Sequence, residues 1–508
     1  MTTQLMARLS LILLTLVPFT AVSAPPPIVY IKIHDFGSVN AIPSSPLSRI
    51  PCGGFAGTTY GNAASDGTGS AYIINSQGNG TFSFKSIYRY DISGSPSNDG
   101  QYPYAGLALS PDGTTLYGTT QNGGANGSGA LFSLNWAQAT LNPNGNPSGY
   151  NLLTSFSSTA NGSRSRSTLT LDETYNLLYG TLSSGGPNSA GSIFVSDLSG
   201  QILNVIPFGG SWGADPVGKL TLPHMMPAGG NHPRLQPEAT TNIDLSPITL
   251  YGVTFSGGSN SCGTVYRVQA NGSNFMVLHT FKFSTTDGAY PQGGMVLQSN
   301  LLYGTTSSGG LNYAGTVFKL DTNGNNFQII GNFDNSTLGG SPQGDLIRSR
   351  NTLYGTSYGG GTNGGGTVYS INIDGSNFQV LHSFSTPTAN AIGNYTNSDG
   401  GWSVEGLVLA DNILYGTTPY GGTNGVGTIY ELILPAPPEL RLTPTNKTYQ
   451  ASWPLYPVGY ALQQSSSLVK PNWTTVNNPL STNGLLLTTT ISPPKGNAFF
   501  RLANTNGP

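Results

Sequence analysis

The chain has 508 residues, of which 70 are Gly and only 8% are charged, with a formal net charge of -2. That balance gives no electrostatic footprint for DNA, RNA or anionic lipid, so neither nucleic acid nor membrane is expected as a partner. With 26 Tyr and 20 Phe, the glycine-rich text describes a turn-dense all-β protein with an aromatic core rather than a disordered chain.

Met1 to Ala24 reads as a secretory signal: Arg8, the apolar run Leu9 to Val17, then Val22-Ser23-Ala24. The run is too short to span a bilayer comfortably, and no later apolar segment is longer. The mature chain is expected to be exported, extracellular or periplasmic, and monomeric.

Next comes Ile31-Lys32-Ile33-His34-Asp35-Phe36, an isolated strand considered again below, and then a run of repeats. Six times Leu-Tyr-Gly is followed at one fixed spacing by Gly-Gly, Asn and a further Gly. The first glycines are Gly118, Gly180, Gly252, Gly304, Gly355 and Gly416, and the later ones Gly129, Gly191, Gly263, Gly315, Gly366 and Gly427, each eleven residues on. Such a period marks a repeat architecture. Around Gly304, strand A is predicted at residues 294–297, B at 301–306, C at 315–320 and D at 327–333, joined by short turns typical of hairpins. A degenerate copy precedes the six, with B at Gly57-Thr58-Thr59, C from Gly69 to Asn75 and D from Phe82 to Tyr90.

The last copy stops after its C strand, Gly427 to Leu432. Ile31 to Phe36 matches Val380-Leu381-His382-Ser383-Phe384, the D strand of the preceding copy. A chain that begins with the strand its last repeat lacks closes on itself and removes exposed sheet edges. The expected fold is therefore an all-β, seven-bladed β-propeller over residues 28–434, closed by the N-terminal strand. Strand A then lines a central channel, and the B–C and D–A loops share one face. A Pro-rich linker at 435–438 leads to a small β-sandwich-like domain over 439–503, with strand candidates at Tyr460 to Gln463, Trp473 to Val476 and Phe499 to Leu502.

Leu302-Tyr303-Gly304-Thr305-Thr306 through Gly309-Gly310 to Gly315-Thr316-Val317-Phe318 resembles the GloVer tandem repeats of secreted bacterial choice-of-anchor proteins, and the likeness covers nearly all of residues 28–434. The end, Phe499-Phe500-Arg501-Leu502, is similar to small C-terminal β domains of secreted bacterial proteins. The resemblance implies no catalytic residues. The Gly-Gly doublets are also similar to those of kelch propellers, but the Tyr and Trp that follow them there are missing, so that likeness is one of architecture only.

The B–C doublets (Gly123-Gly124 through Gly421-Gly422) suit positive φ. The recurring Asn126, Asn188, Asn260, Asn312, Asn363 and Asn424 fit loop-internal hydrogen bonds better than a sixfold catalytic site. The D–A loops vary as binding loops do. They hold Tyr102, Tyr104, Trp212, Tyr290 and Trp402, and the B–C loops add Tyr313, Tyr358 and Tyr420. These rings suit stacking on sugars, or else packing between blades. Asp99, Asp287 and Asp399 each precede Gly in a D–A loop, with Asp215 and Glu405 nearby. They read as turn residues or, alternatively, as the acid and base of a glycan-cleaving enzyme.

His34, His279 and His382 share a D-strand position that other copies fill with Tyr88, Thr154, Ile206 and Gly331, a tolerance that indicates packing. Cys262 fills a repeat position otherwise held by small residues, which leaves free, buried thiols or a bridge to Cys52 as alternatives. His224, Met225, Met226 and His232 fall in a Pro/Gly-rich insertion. No phosphate loop, nucleophile elbow or zinc spacing occurs, and Asp321 to Asn325 lacks the closing Glu of a calcium loop. No cofactor or metal is expected. The expected function is a binding or scaffold module for extracellular polysaccharide or a cell-surface component. The alternatives are a carbohydrate-active hydrolase or lyase and a purely structural surface protein.

Overall fold

The computed structural model describes residues 28–37, 42–61, 69–77, 81–90, 99–138, 149–223, 243–390, 394–410, 412–435, 440–445, 448–454, 460–467, 472–483, 486–492 and 498–504. The segment read as a secretory signal, the His/Met insertion and most of the Pro-rich joint lie outside them. The chain divides into a unit spanning Val29–Ile433 and a second one that holds the residues from Leu434 onward.

The repeat text folds as read. In the copy around Gly304, Val296–Gln298, Leu301–Thr306, Thr316–Asp321 and Gln328–Asn332 form one four-stranded antiparallel meander in the order A-B-C-D. The reason for Leu-Tyr-Gly lies across the B–C pair. Gly304 sits opposite Phe318, and a Cβ on it would come within 2.5 Å of the Phe318 ring. In the other copies Phe132, Phe194, Tyr266, Tyr369 and Tyr430 lie over Gly118, Gly180, Gly252, Gly355 and Gly416 in the same way. The bare strand residue is covered by a cross-strand ring, which restores the packing that glycine alone forfeits.

Among the described residues of this unit there are seven such sheets, six with four strands and one with five. The five-stranded one is the degenerate first copy, whose A strand is split: Ile42–Pro43 and Ser48–Ile50 both pair with Gly54–Tyr60. The last sheet takes its outer strand from the N-terminus, Val29–Asp35 pairing antiparallel with Thr428–Ile433. In six sheets the C–D ladder carries a bulge at one aliphatic residue: Ile33, Ile87, Leu153, Leu278, Ile330 or Leu381. The third sheet has its bulge at Leu203. A bulge adds an unpaired residue and local twist.

Each sheet packs on the next. Ile73 and Leu116 share a hydrophobic cluster of the first and second sheets, Leu131 and Leu178 one of the second and third, and Val195 and Leu250 one of the third and fourth. Val265 and Leu302, and Val317 and Leu353, share the clusters of the next two interfaces. Tyr30 of the seventh sheet stacks on His382 of the sixth at 4.2 Å, and Ile429 packs with Phe55 and Ile74 of the first. These interfaces are hydrophobic and aromatic, as expected for a unit that holds its elements by side-chain burial, while many Ser and Thr residues and Glu405 are buried elsewhere in it.

The second unit holds two sheets. Arg441–Thr445, Thr448–Pro454, Leu486–Ile491 and Ser481–Asn483 form one, and Thr474–Thr475, Tyr460–Ser465 and Phe499–Asn504 the other. Ala451, Trp453 and Ile491 of the first share a core with Leu462 of the second. Arg501 of the terminal Phe-Phe-Arg-Leu lies over the Trp473 ring at 4.4 Å, a cation–π contact.

Candidate binding face and central cavity

The B–C loops are held by their own residues. All twelve doublet glycines have φ between 68° and 81°, the left-handed region that glycine enters without a Cβ clash. Five of the six recurrent asparagines donate from Nδ2 to carbonyls in or just past the D strand: Asn126 to Phe156 at 3.1 Å, Asn260 to Phe281 at 3.1 Å, Asn312 to Phe333 at 2.9 Å, Asn363 to Ser383 at 2.9 Å and Asn424 to Phe36 at 3.0 Å. These amides are committed to the frame.

The D–A carboxylates are committed too. Asp99 accepts from the Tyr88 hydroxyl at 2.6 Å. Asp287 pairs with His279 and Asp399 with His382, each at 3.1 Å. The rings that hold them also join neighbouring sheets, His279 stacking on Phe327 at 3.8 Å and Tyr88 on Tyr150 at 4.2 Å. His34 stacks likewise on Phe84 at 4.2 Å. Each sheet whose D–A loop carries Asp-Gly has Tyr or His at this D-strand position, whereas the seventh has His34 and no Asp-Gly. Cys262 is free and buried, its thiol 3.2 Å from the Asn260 carbonyl.

One D–A position behaves differently. Tyr102, Arg164, Asp215, Tyr290, Ser341 and Trp402 occupy the same place in six sheets, and all are left-handed, with φ of 58°, 61°, 54°, 58°, 52° and 55°. The frame imposes this conformation. The N–H groups of Asp215, Tyr290, Ser341 and Trp402 donate to Ala190, Cys262, Ala314 and Gly365 of the preceding sheet, at 3.0, 2.8, 2.8 and 2.7 Å. The carbonyls of Tyr102, Tyr290 and Ser341 accept from Gln121, Ser307 and Tyr358 of their own sheet, at 3.0, 3.2 and 3.1 Å. The backbone at this position therefore bridges two sheets, while its side chain differs in nearly every copy.

The aromatic candidates gather around these residues. Trp402 lies 5.3 Å from Tyr420, 5.4 Å from Tyr395 and 6.3 Å from Tyr358. Tyr102 packs on Tyr60 at 4.9 Å, Tyr60 reaches Tyr104 at 6.0 Å, and Tyr290 meets Phe255 at 5.3 Å. Trp212 stacks on Phe275 at 4.2 Å and Tyr313 meets Phe283 at 5.2 Å. Trp212, Tyr313, Tyr358 and Tyr395 remain 39%, 50%, 38% and 44% exposed. The candidates thus form several separate clusters, and sequence reasoning missed their partners Tyr60, Phe255 and Tyr395.

The starts of the A strands and the loops before them enclose a cavity of about 330 Å³. Every sheet contributes to its lining, from Pro46 of the first to Glu405 of the seventh. A second cavity of about 560 Å³ shares Pro46, Thr168, Lys219, Asp345 and Gly406 with it. The first cavity is ionic in a chain with few charges: Arg164, Arg166 and Lys219 line it together with Asp215, Asp345 and Glu405. Asp215 accepts from Ser256 Oγ at 2.7 Å, and Asp345 Oδ1 accepts from the Gly294 N–H. Burial first, and then Asp345, hold the Glu405 carboxyl well above the ordinary carboxylate range. Burial likewise raises the Tyr104 hydroxyl, which also lines this cavity. Asp215 and Glu405 stood out in the sequence. The three cations and Asp345 did not, although each is an ionic residue at a repeat position that no turn motif explains.

Among the described residues there is no cluster of His, Cys, Asp or Glu that could hold a metal, and no helix long and apolar enough to cross a membrane. The profile of the Gloeobacter/Verrucomicrobia repeat matches residues 31–226 and 236–395, and the chain belongs to that family. Its fold is all-β and propeller-like. No curated protein is significantly similar in sequence.

Similar solved structures include an oligogalacturonate lyase in complex with manganese, at 12% identity and a TM-score of 0.47 over 81% of this chain and 98% of that one. The β-propeller domain of the Trilobed protease from Pyrococcus furiosus is similar at 11% identity and a TM-score of 0.38, over 76% of this chain and 95% of its own. The periplasmic gluconolactonase of Pseudomonas aeruginosa is similar at 14% identity and a TM-score of 0.36, over 73% and 94%. The activities in those names belong to those proteins.

Proposed function

We propose that Val29–Ile433 is a seven-bladed β-propeller closed by its N-terminal strand, exported behind a signal peptide and joined to a small C-terminal β-sandwich-like domain. On this reading it is a binding module, its ligand an extracellular polysaccharide and its binding surface the face of the B–C and D–A loops. The observation that carries the binding role is the set of six left-handed residues. A non-glycine side chain in that region costs on the order of 1–2 kcal/mol, and glycine would relieve it at each of these places. None of the six is glycine, and three are Tyr or Trp. The backbone bonds at this position serve the frame whatever the side chain, so the side chains are free to serve recognition.

Exposed rings beside Ser, Thr and Asn suit the apolar faces and hydroxyl rims of sugars. The hydrolase or lyase alternative draws on Asp99, Asp287 and Asp399, each of which is already held by a tyrosine or histidine. A glycan-array screen of the purified chain tests the proposal. Retention of a polysaccharide that weakens about tenfold or more, ~1.4 kcal/mol, in Trp402→Ala or Trp212→Ala is the expected outcome. Unchanged binding in both variants, or no retained glycan, would count against it.

A further inference from the structure

The cavity at the centre of the propeller-like unit has a donor-rich chemistry that the aromatic clusters lack. Its ionic groups fall into two kinds. Asp215 and Asp345 already accept hydrogen bonds, from Ser256 and from the Gly294 N–H. Arg164, Arg166 and Lys219 are uncommitted: the ion pairs among the described residues are Lys32–Asp35, His279–Asp287 and His382–Asp399, and none involves them. Their side chains donate no hydrogen bond to another described residue. Arg164 also keeps its charged side chain at a left-handed position, φ 61°, at the edge of this cavity.

Glu405 supplies an independent observation. It is only 8% exposed and lines the same cavity, yet its carboxyl has no hydrogen-bond partner among the described residues. Its oxygens are not among the fully buried side-chain atoms that lack a partner; they open onto the cavity, where a bound ligand can reach them. Burial holds this carboxyl toward its neutral form. The three uncommitted cations outnumber the two carboxylates, Asp215 and Asp345, that line the cavity with them, and the ligand that satisfies the excess is rich in acceptors and negatively charged.

We propose that this cavity binds the carboxylate of an acidic sugar, with Arg166 and Lys219 contacting the carboxylate and Glu405 a ring hydroxyl or carboxylate oxygen. The proposal rests on the polysaccharide reading above and narrows it to uronate-containing glycans. The same chemistry would accept a free sugar acid, and the experiment separates the two sources.

The purified chain is titrated calorimetrically with a glucuronan tetrasaccharide, with the same oligosaccharide after reduction of its carboxyl groups, and with free glucuronate. The charged tetrasaccharide is expected to bind at least tenfold tighter than its reduced form and to weaken as NaCl rises from about 50 to about 500 mM. Lys219→Met and Arg166→Gln should each weaken the charged ligand at least fivefold and leave the melting temperature and any affinity for the reduced ligand unchanged. Free glucuronate binding as tightly as the tetrasaccharide, with the same sensitivity to these substitutions, would support the site and identify a small sugar acid as its ligand.

Equal affinity for charged and reduced forms, no binding of either, or affinities within twofold of the parent chain in both variants would overturn the proposal. A neutral glycan retained through Trp402 but indifferent to Lys219 and Arg166 would leave the binding role standing and remove only the acidic-sugar site.

Discussion

Glycine 304 faces an aromatic ring across the strand pair, and so do its five counterparts. Their spacing was plain in the sequence. Their purpose was not, because the ring lies on another strand. Gly304→Ala should destabilise the unit by about 1–3 kcal/mol through overpacking, whereas Ser341→Gly, which removes a left-handed side chain, should leave stability unchanged or raise it by up to about 1 kcal/mol. Urea denaturation of the two variants checks both. Glu405 carries a pH signature. Its folded pKa lies above the unfolded value, so the stability linked to its protonated form is fully present below the ordinary carboxylate range and is lost as pH rises through the raised folded value. Glu405→Gln should flatten that loss, with a melting-temperature gain over the parent chain that is larger at pH 8 than at pH 4.

The strands and hairpins of the blades were legible because alternating apolar residues and Gly/Asn turns recur at a fixed step. The D-strand bulge was not, although Ile or Leu fills it in every sheet, because a ladder irregularity has no residue signature of its own. The D–A loop was half legible. Its Asp-Gly pairs look like turns or acids in isolation, and their tie to His or Tyr appears only when the loop folds back on the D strand. Asp287→Ala should cost about 1–3 kcal/mol by leaving His279 without its acceptor and the loop amides of Lys282 and Gly288 unpaired. It should leave glycan affinity unchanged, as chemical denaturation alongside calorimetry would establish. The cavity cations escaped notice for a different reason: separate sheets must come together before residues scattered from 164 to 405 line one cavity.

The pairing of the first strand with the last repeat was readable from a strand missing at one end of the repeats and present at the other. Val29–Asp35 does pair with Thr428–Ile433, and deleting residues 28–37 should leave that edge bare, lower the melting temperature and promote self-association visible in size-exclusion chromatography. A peptide of residues 28–37 added in trans should restore both properties. The same pairing sets a clock. The two strands are separated by roughly 400 residues, and at about 5–20 residues per second the earliest-made strand waits roughly 20–80 s for its partner to be synthesised. Until then a sticky β-strand, with Val29 and Ile31 exposed even in the finished fold, has nothing of its own to join. A chaperone that holds unpaired strands during synthesis would find its main client in the first strand of this protein rather than its last.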